Sequence, residues 1–241
     1  MKTADSSSGP SPISPACGTE ALLGNERRAN RKWKFAPGFT SAELLVVIFI
    51  VAILAVLFLS TTADTPAKAY RANCMNNLKQ IGLVYRIWEE DYGDLYPARY
   101  FTNADGSTKL TNAFRTFQIM SNELNNPKIL YCPADKERSS AADFGSKLTD
   151  LQISYFVALD AGDTFPAMWL SGDRNLVTNG AEVRPGVVTI RNTDTVTWSS
   201  KIHNGAGNIG LADGSVQQTS SANVQNLLKY SGTNLTRLAI P

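Results

Sequence analysis

"GFTSAELLVVIFIVAILAVLFLS", residues 38–60, is the stretch on which the rest of the chain turns. Leu44 to Leu59 is an unbroken apolar run of sixteen residues, and Phe39 to Glu43 extends it to twenty-one. A helix needs about 20 apolar residues to cross roughly 30 Å of hydrocarbon. The segment is therefore long enough to span a membrane. Glu43 is the anomaly within it. Lipid penalises a carboxylate in such a helix, so an acid there implies a role and a partner.

The flanks bear on what kind of span this is. "RRANRKWK", residues 27–34, places five positive charges just before the run, and Asp64 is the first charge after it. Basic residues at a membrane end stay cytoplasmic, which predicts the N-terminus inside and everything from about residue 62 outside the cytoplasm. A secretory signal has an apolar core of about 7–15 residues and a small-residue cleavage site. This run is longer, and no Ala-x-Ala precedes "STTADTPAKAY".

"GFTSAELLVVIFIVAILA" resembles the N-terminal signal of type IV pilins and of the pseudopilins of type II secretion. The resemblance implies cleavage between Gly38 and Phe39 by a prepilin peptidase on the cytoplasmic face, with N-methylation of Phe39. It further implies that Glu43 pairs with the terminal amine of a neighbouring pilin-like subunit during assembly. Ser41-Ala42 stands where Leu-Ile is commoner in the family. The organisation that follows is a cleaved leader over 1–38, a membrane and filament-core helix over 39–62, and an exported domain over 63–241. The implied setting is the inner membrane, crossed once, with the C-terminal domain outside the cytoplasm.

The chain has 241 residues and a net charge of +2. Its 43% hydrophobic and 18% charged residues suit a globular protein. The leader carries a charge of +3, leaving −1 for the rest, so no basic surface points to nucleic acid. Residues 1–26, rich in Ser, Pro and Gly, read as a disordered cytoplasmic extension. Cys17 departs with the leader, leaving Cys74 and Cys132 in an oxidising compartment, where disulfides persist. A Cys74–Cys132 bridge is the sharper expectation; two buried thiols that never meet is the alternative.

Past the span, Tyr70, Cys74, Leu78, Ile81, Tyr85 and Trp88 recur at helical spacing. This predicts one long helix from Phe39 to about Asp91, apolar in its first half and amphipathic in its second, with a kink at Pro66. "NAFRTFQIMSNEL", residues 112–124, reads as a short helix. Alternation of Ile153, Tyr155, Val157 and Leu159 reads as a strand, and turn signals flank another near 186–190. "NIGLADGSVQQ" predicts a hairpin turning on Asp213-Gly214, and "SANVQNLLKYSGT" a C-terminal helix capped by Ser220 or Ser221. The fold class expected is α+β, a pilin-like spine helix bearing an antiparallel β-sheet head.

His203, nine intervening residues and Asp213-Gly214 resemble the C-terminal signature of pilin-like proteins from planctomycete and verrucomicrobial bacteria. "CMNNLKQIGLVY", "YCPAD" and "GDRNL" fit that group too. His203 is expected beside the hairpin turn, pairing with Asp213 or a backbone group. A Ser199 or Ser200, His203, Asp213 triad can be drawn from the spacing, but spacing alone does not support one, and no hydrolase or nucleotide-binding motif occurs. No cofactor is expected. The resemblance to major pseudopilins nominates calcium, with Asp160, Asp163 and Asp173 as candidate ligands in loop-like sequence. Beside a filament subunit, the residues leave open a membrane-anchored extracellular binding module for glycan or protein, using Trp169 and Trp198, or an anchored hydrolase.

Overall fold

The computed structural model describes residues 38–60 and 65–241. Residues 1–37, all but the last of the leader expected over 1–38, lie outside the described residues, and so does the junction 61–64 within the helix expected over 39–91. Two helices are described in that span, α1 (Ser41–Ser60) and α2 (Thr65–Asp91). Pro66 is the second residue of α2 as described, so the kink expected there falls at the undescribed junction.

Among the described residues α1 is the one helix long and apolar enough to cross a membrane. It is apolar all round, and its side chains from Ser41 to Phe58 are exposed. The head domain is α+β, and α2 supplies its central helix. Cys74, Leu78, Ile81, Val84, Tyr85 and Trp88 are all buried, so the amphipathic stripe faces the core. Tyr70 is 44% exposed, and the buried stripe therefore begins one turn later than the spacing predicts. Gly93 and Asp94 take positive φ, which ends the helix.

Three short helices follow: α3 (Pro97–Tyr100), α4 (Ala113–Ile119) and α5 (Ser121–Leu124). The single helix expected over 112–124 breaks at Met120. Its side chain is fully buried, and its backbone leaves the helical region at φ −85° and ψ 20°.

Nine strands are described: β1 (Tyr155–Ala158), β2 (Trp169–Asp173), β3 (Leu176–Thr178), β4 (Ala181–Glu182), β5 (Gly186–Arg191), β6 (Val196–Trp198), β7 (Ala206–Leu211), β8 (Val216–Ser220) and β9 (Leu235–Ile240). They form a six-stranded antiparallel sheet in the order β5-β9-β1-β2-β7-β8 and a three-stranded one in the order β4-β3-β6. Helix α2 packs on β2, β7 and β8, and α6 (Ser221–Lys229) packs on β6 and β8. All four residues of β1 are buried, because β9 and β2 flank it and both its faces are covered. The alternation read at 153–159 is therefore not a one-sided amphipathic strand. The C-terminal strand β9, which the sequence reading did not anticipate, inserts between β5 and β1.

The β7–β8 hairpin forms as expected but with a different turn. Gly214 N–H donates to Leu211 O at 2.9 Å, and Leu211 N–H to Ser215 O at 2.8 Å. Gly214 has φ +83°, whereas Asp213 is not in the left-handed region. The loop thus has three residues, a type I turn closed by a left-handed glycine, rather than a two-residue turn on Asp213-Gly214. Tertiary bonds fix this choice: Ala212 N–H donates to Met168 O, Asp213 N–H to Pro166 O, and Tyr96 OH to Ala212 O.

Candidate functional site

Two places carry chemistry, and each is described by itself. At the start of α1, Thr40 Oγ1 accepts from Glu43 N–H at 3.3 Å, while Glu43 Oε2 accepts from Thr40 N–H at 2.8 Å and from its hydroxyl at 2.9 Å. This is a reciprocal capping box, which satisfies amide groups that have no intrahelical partner. Glu43 therefore has a local role in a single chain, one that its spacing from Thr40 offered but the sequence reading passed over. The carboxylate remains exposed, as do Gly38 and Phe39 ahead of it.

The second place is inside the head. Cys74 on α2 is disulfide-bonded to Cys132, which follows a 3₁₀ turn at Pro127–Leu130. Beside the bond lie His203, in the turn before β7, and Asp173, at the end of β2. His203 Nε2 stands 3.4 Å from Cys132 Sγ and 3.5 Å from Asp173 Oδ2. The four groups offer ligand atoms that all lie within 4.8 Å of one another. Both cysteines and Asp173 are fully buried, and the His203 side chain is 1% exposed.

Local structure explains the convergence. His203 and Asn204 both take positive φ, so the turn folds the imidazole inward ahead of β7. Asn208, buried on β7, grips Asp173 Oδ2 through its backbone N–H at 2.7 Å and its side-chain amide at 3.0 Å. Asp173 Oδ1 has no hydrogen-bond partner among the described residues. Arg71, one turn before Cys74, donates to Gly207 O and Thr219 O and sets a positive charge near the cluster. Burial pushes the Asp173 carboxyl up to about 7, against the Asn208 donors that favour its anion. Burial, and then the Arg71 charge, push His203 down to about 4. At neutral pH the imidazole is therefore uncharged.

These positions correct several expectations. His203 does not pair with Asp213 at the hairpin turn. It lies at the opposite end of β7, where Ala206 pairs with Ser220, while Asp213 accepts from Ser215 N–H beside Gly214. The Ser–His–Asp213 arrangement is likewise not assembled, since Cys132 and Asp173 are the groups at His203 Nε2. Asp160, Asp163 and Asp173 do not form one calcium site. Asp173 pairs across the sheet with Tyr155 at the start of β1, whereas Asp160 lies past its end, so the two carboxylates sit at opposite ends of that strand. Both oxygens of Asp160 are occupied by Arg237, and Asp163 is exposed. Trp169 is fully buried. Trp198 is 5% exposed, with its indole N–H donating to Thr219, so neither ring forms a surface platform for a ligand.

No protein-family model, curated protein or solved structure matches the chain.

Proposed function

We propose that the chain is a pilin-like subunit of a type II secretion or type IV pilus-like filament. In this reading a prepilin peptidase cuts between Gly38 and Phe39, and the apolar helix then packs with those of other pilin-like subunits. The observation that carries it is the order Gly38-Phe39-Thr40, Glu43 and then an uninterrupted apolar helix. A simple anchor needs neither the glycine nor the acid. The helical span begins at Ser41, three residues past the cut, which leaves the new amine close to the Glu43 carboxylate in sequence. In the assembled filament that carboxylate exchanges its Thr40 contacts for the amine of a neighbouring subunit, and a buried charge becomes tolerable once it is paired.

The same reading puts the head outside the cytoplasmic face of the inner membrane, consistent with the basic segment before the span and with a disulfide in the head. Mass spectrometry of membrane fractions tests it. The expected mature chain begins with N-methyl-Phe39. A chain beginning near Ala63, as for a released secreted protein, overturns the filament reading.

A further inference from the structure

We propose that Cys74, Cys132, His203 and Asp173 form a four-coordinate site for a zinc-class divalent ion whenever the two cysteines are thiols. The ion and the disulfide are then alternative cross-links at the same point of the head. This inference does not depend on the filament reading.

The donor set is the first argument. Two thiolates, an imidazole and a carboxylate are ligands that suit zinc, and four of them close a tetrahedral structural site. They come from four separate segments: α2, the chain after the 3₁₀ turn, the end of β2 and the turn before β7. Helical packing alone would explain Cys74, and a disulfide alone would need only the two cysteines. Neither requires a histidine and an aspartate turned to the same point.

Geometry is the second argument. Zinc bonds of about 2.0–2.3 Å at tetrahedral angles separate neighbouring ligand atoms by about 3.3–3.8 Å. His203 Nε2 already stands 3.4 Å from Cys132 Sγ, and the carboxylate of Asp173 falls within the 4.8 Å that holds all four groups. The Cα atoms of Cys74 and Cys132 are 5.4 Å apart. Small side-chain rotations therefore suffice to bring both sulfurs to an ion.

Asp173 supplies an independent observation. It is fully buried, yet Oδ1 has no hydrogen-bond partner among the described residues. Such an orphaned oxygen is costly unless something else occupies its lone pairs. Asn208 holds the other oxygen with two donors, the outer support that orients a ligating carboxylate. Charge closes the account. Two thiolates and a carboxylate around a divalent ion leave one negative charge, and the Arg71 guanidinium beside the cluster offsets it.

The two states interconvert by balanced steps. As metal binds, each thiol loses one proton and each sulfur bonds to the ion. Disulfide formation then removes two electrons from the two thiolates and expels the ion. An external disulfide accepts those electrons together with two protons and becomes two thiols. A dithiol reductant runs the exchange in reverse, and His203 and Asp173 are left in place in both states.

The test is cobalt titration of the full-length chain in detergent micelles, stripped of metal and reduced with a phosphine. The expected result is about one cobalt per chain, with the intense visible bands of a tetrahedral ion and a thiolate-to-cobalt charge-transfer band. Zinc should displace the cobalt, and oxidised glutathione should release it as the disulfide forms. His203→Gln should weaken cobalt binding by at least about tenfold. Comparing the wild-type chain in its two redox states keeps the test independent of how any variant folds. The proposal is overturned if the reduced wild-type chain binds no cobalt or gives only the pale spectrum of a six-coordinate ion. It is equally overturned if the oxidised chain gives the same spectrum, or if folded His203→Gln binds cobalt as tightly as wild type.

Discussion

His203 Nε2 lies 3.5 Å from Asp173 Oδ2 in the interior of the head, and burial shifts the two groups in opposite directions. Asp173 is raised from 3.8 to about 7, so between those values the folded chain holds a proton that the unfolded chain releases. Its contribution to stability is full below about pH 4 and is lost as pH rises towards 7. His203 is lowered from 6.5 to about 4, so its contribution is full above pH 6.5 and is lost as pH falls towards 4. In the oxidised, metal-free protein the two slopes oppose each other across that window. His203→Gln should leave stability falling as pH rises, and Asp173→Asn should leave it rising. Urea midpoints at about pH 4.5 and 6.5 measure both, and slopes of the same sign in the two variants would refute the assignment.

Gly207 on β7 has no room for a side chain. A Cβ there would sit 2.6–2.7 Å from ring atoms of Trp198, whose indole is anchored to Thr219. Gly207→Ala should destabilise the head by about 1–3 kcal/mol through overpacking. A Gly207→Ala, Trp198→Phe double variant tests the cause: the smaller ring should recover part of the loss.

Gly214→Val should cost more than about 1 kcal/mol, because a β-branched residue resists φ +83°. Gly82 approaches the same turn from α2, and a Cβ there would meet Gly214 Cα at 3.4 Å. One added carbon already fills that contact, so the γ-methyls of Gly82→Val are expected to overpack it and loosen the helix from the turn. Hydrogen exchange should show the β7–β8 amides opening more readily in both variants.

Asp135 is 1% exposed and takes two parallel hydrogen bonds of 2.8 Å from Arg174. Arg174→Met strands that carboxylate and should cost about 3–5 kcal/mol. Glu137 also binds Arg174, but its side chain is 49% exposed, and Glu137→Ala should cost below about 1 kcal/mol. Equal losses in the two variants would show that burial does not set the difference.

Glu43→Gln separates the capping contacts of that residue from the amine pairing proposed for it. The amide keeps an oxygen for the Thr40 donors, so the start of α1 should stay capped, while the charge needed to pair with an amine is gone. Membrane insertion should be unchanged and filament yield should fall. Normal filaments from this variant would leave Glu43 as a helix cap only.

Local patterns carried what needs only one segment to specify. The apolar run of α1, the inward stripe of Cys74, Leu78, Ile81, Tyr85 and Trp88, and the positive φ of Gly214 each follow from side-chain period or backbone preference within a few residues. The Cys74–Cys132 pairing was legible only because Cys17 was set aside with the expected leader and two cysteines remained. What the tertiary structure alone decided is where distant segments meet. β9 pairs between edge strand β5 and β1, a placement that no local signal in "LTRLAI" reveals. The same holds for His203. Its spacing from Asp213 is constant in sequence, but β7 runs between them as an extended strand and carries the two to opposite ends of the hairpin. Antiparallel register likewise took Asp173 away from Asp160 and set it beside the cysteines. Register depends on hydrogen bonds between strands, and those partners lie too far apart in the chain for periodicity to name them.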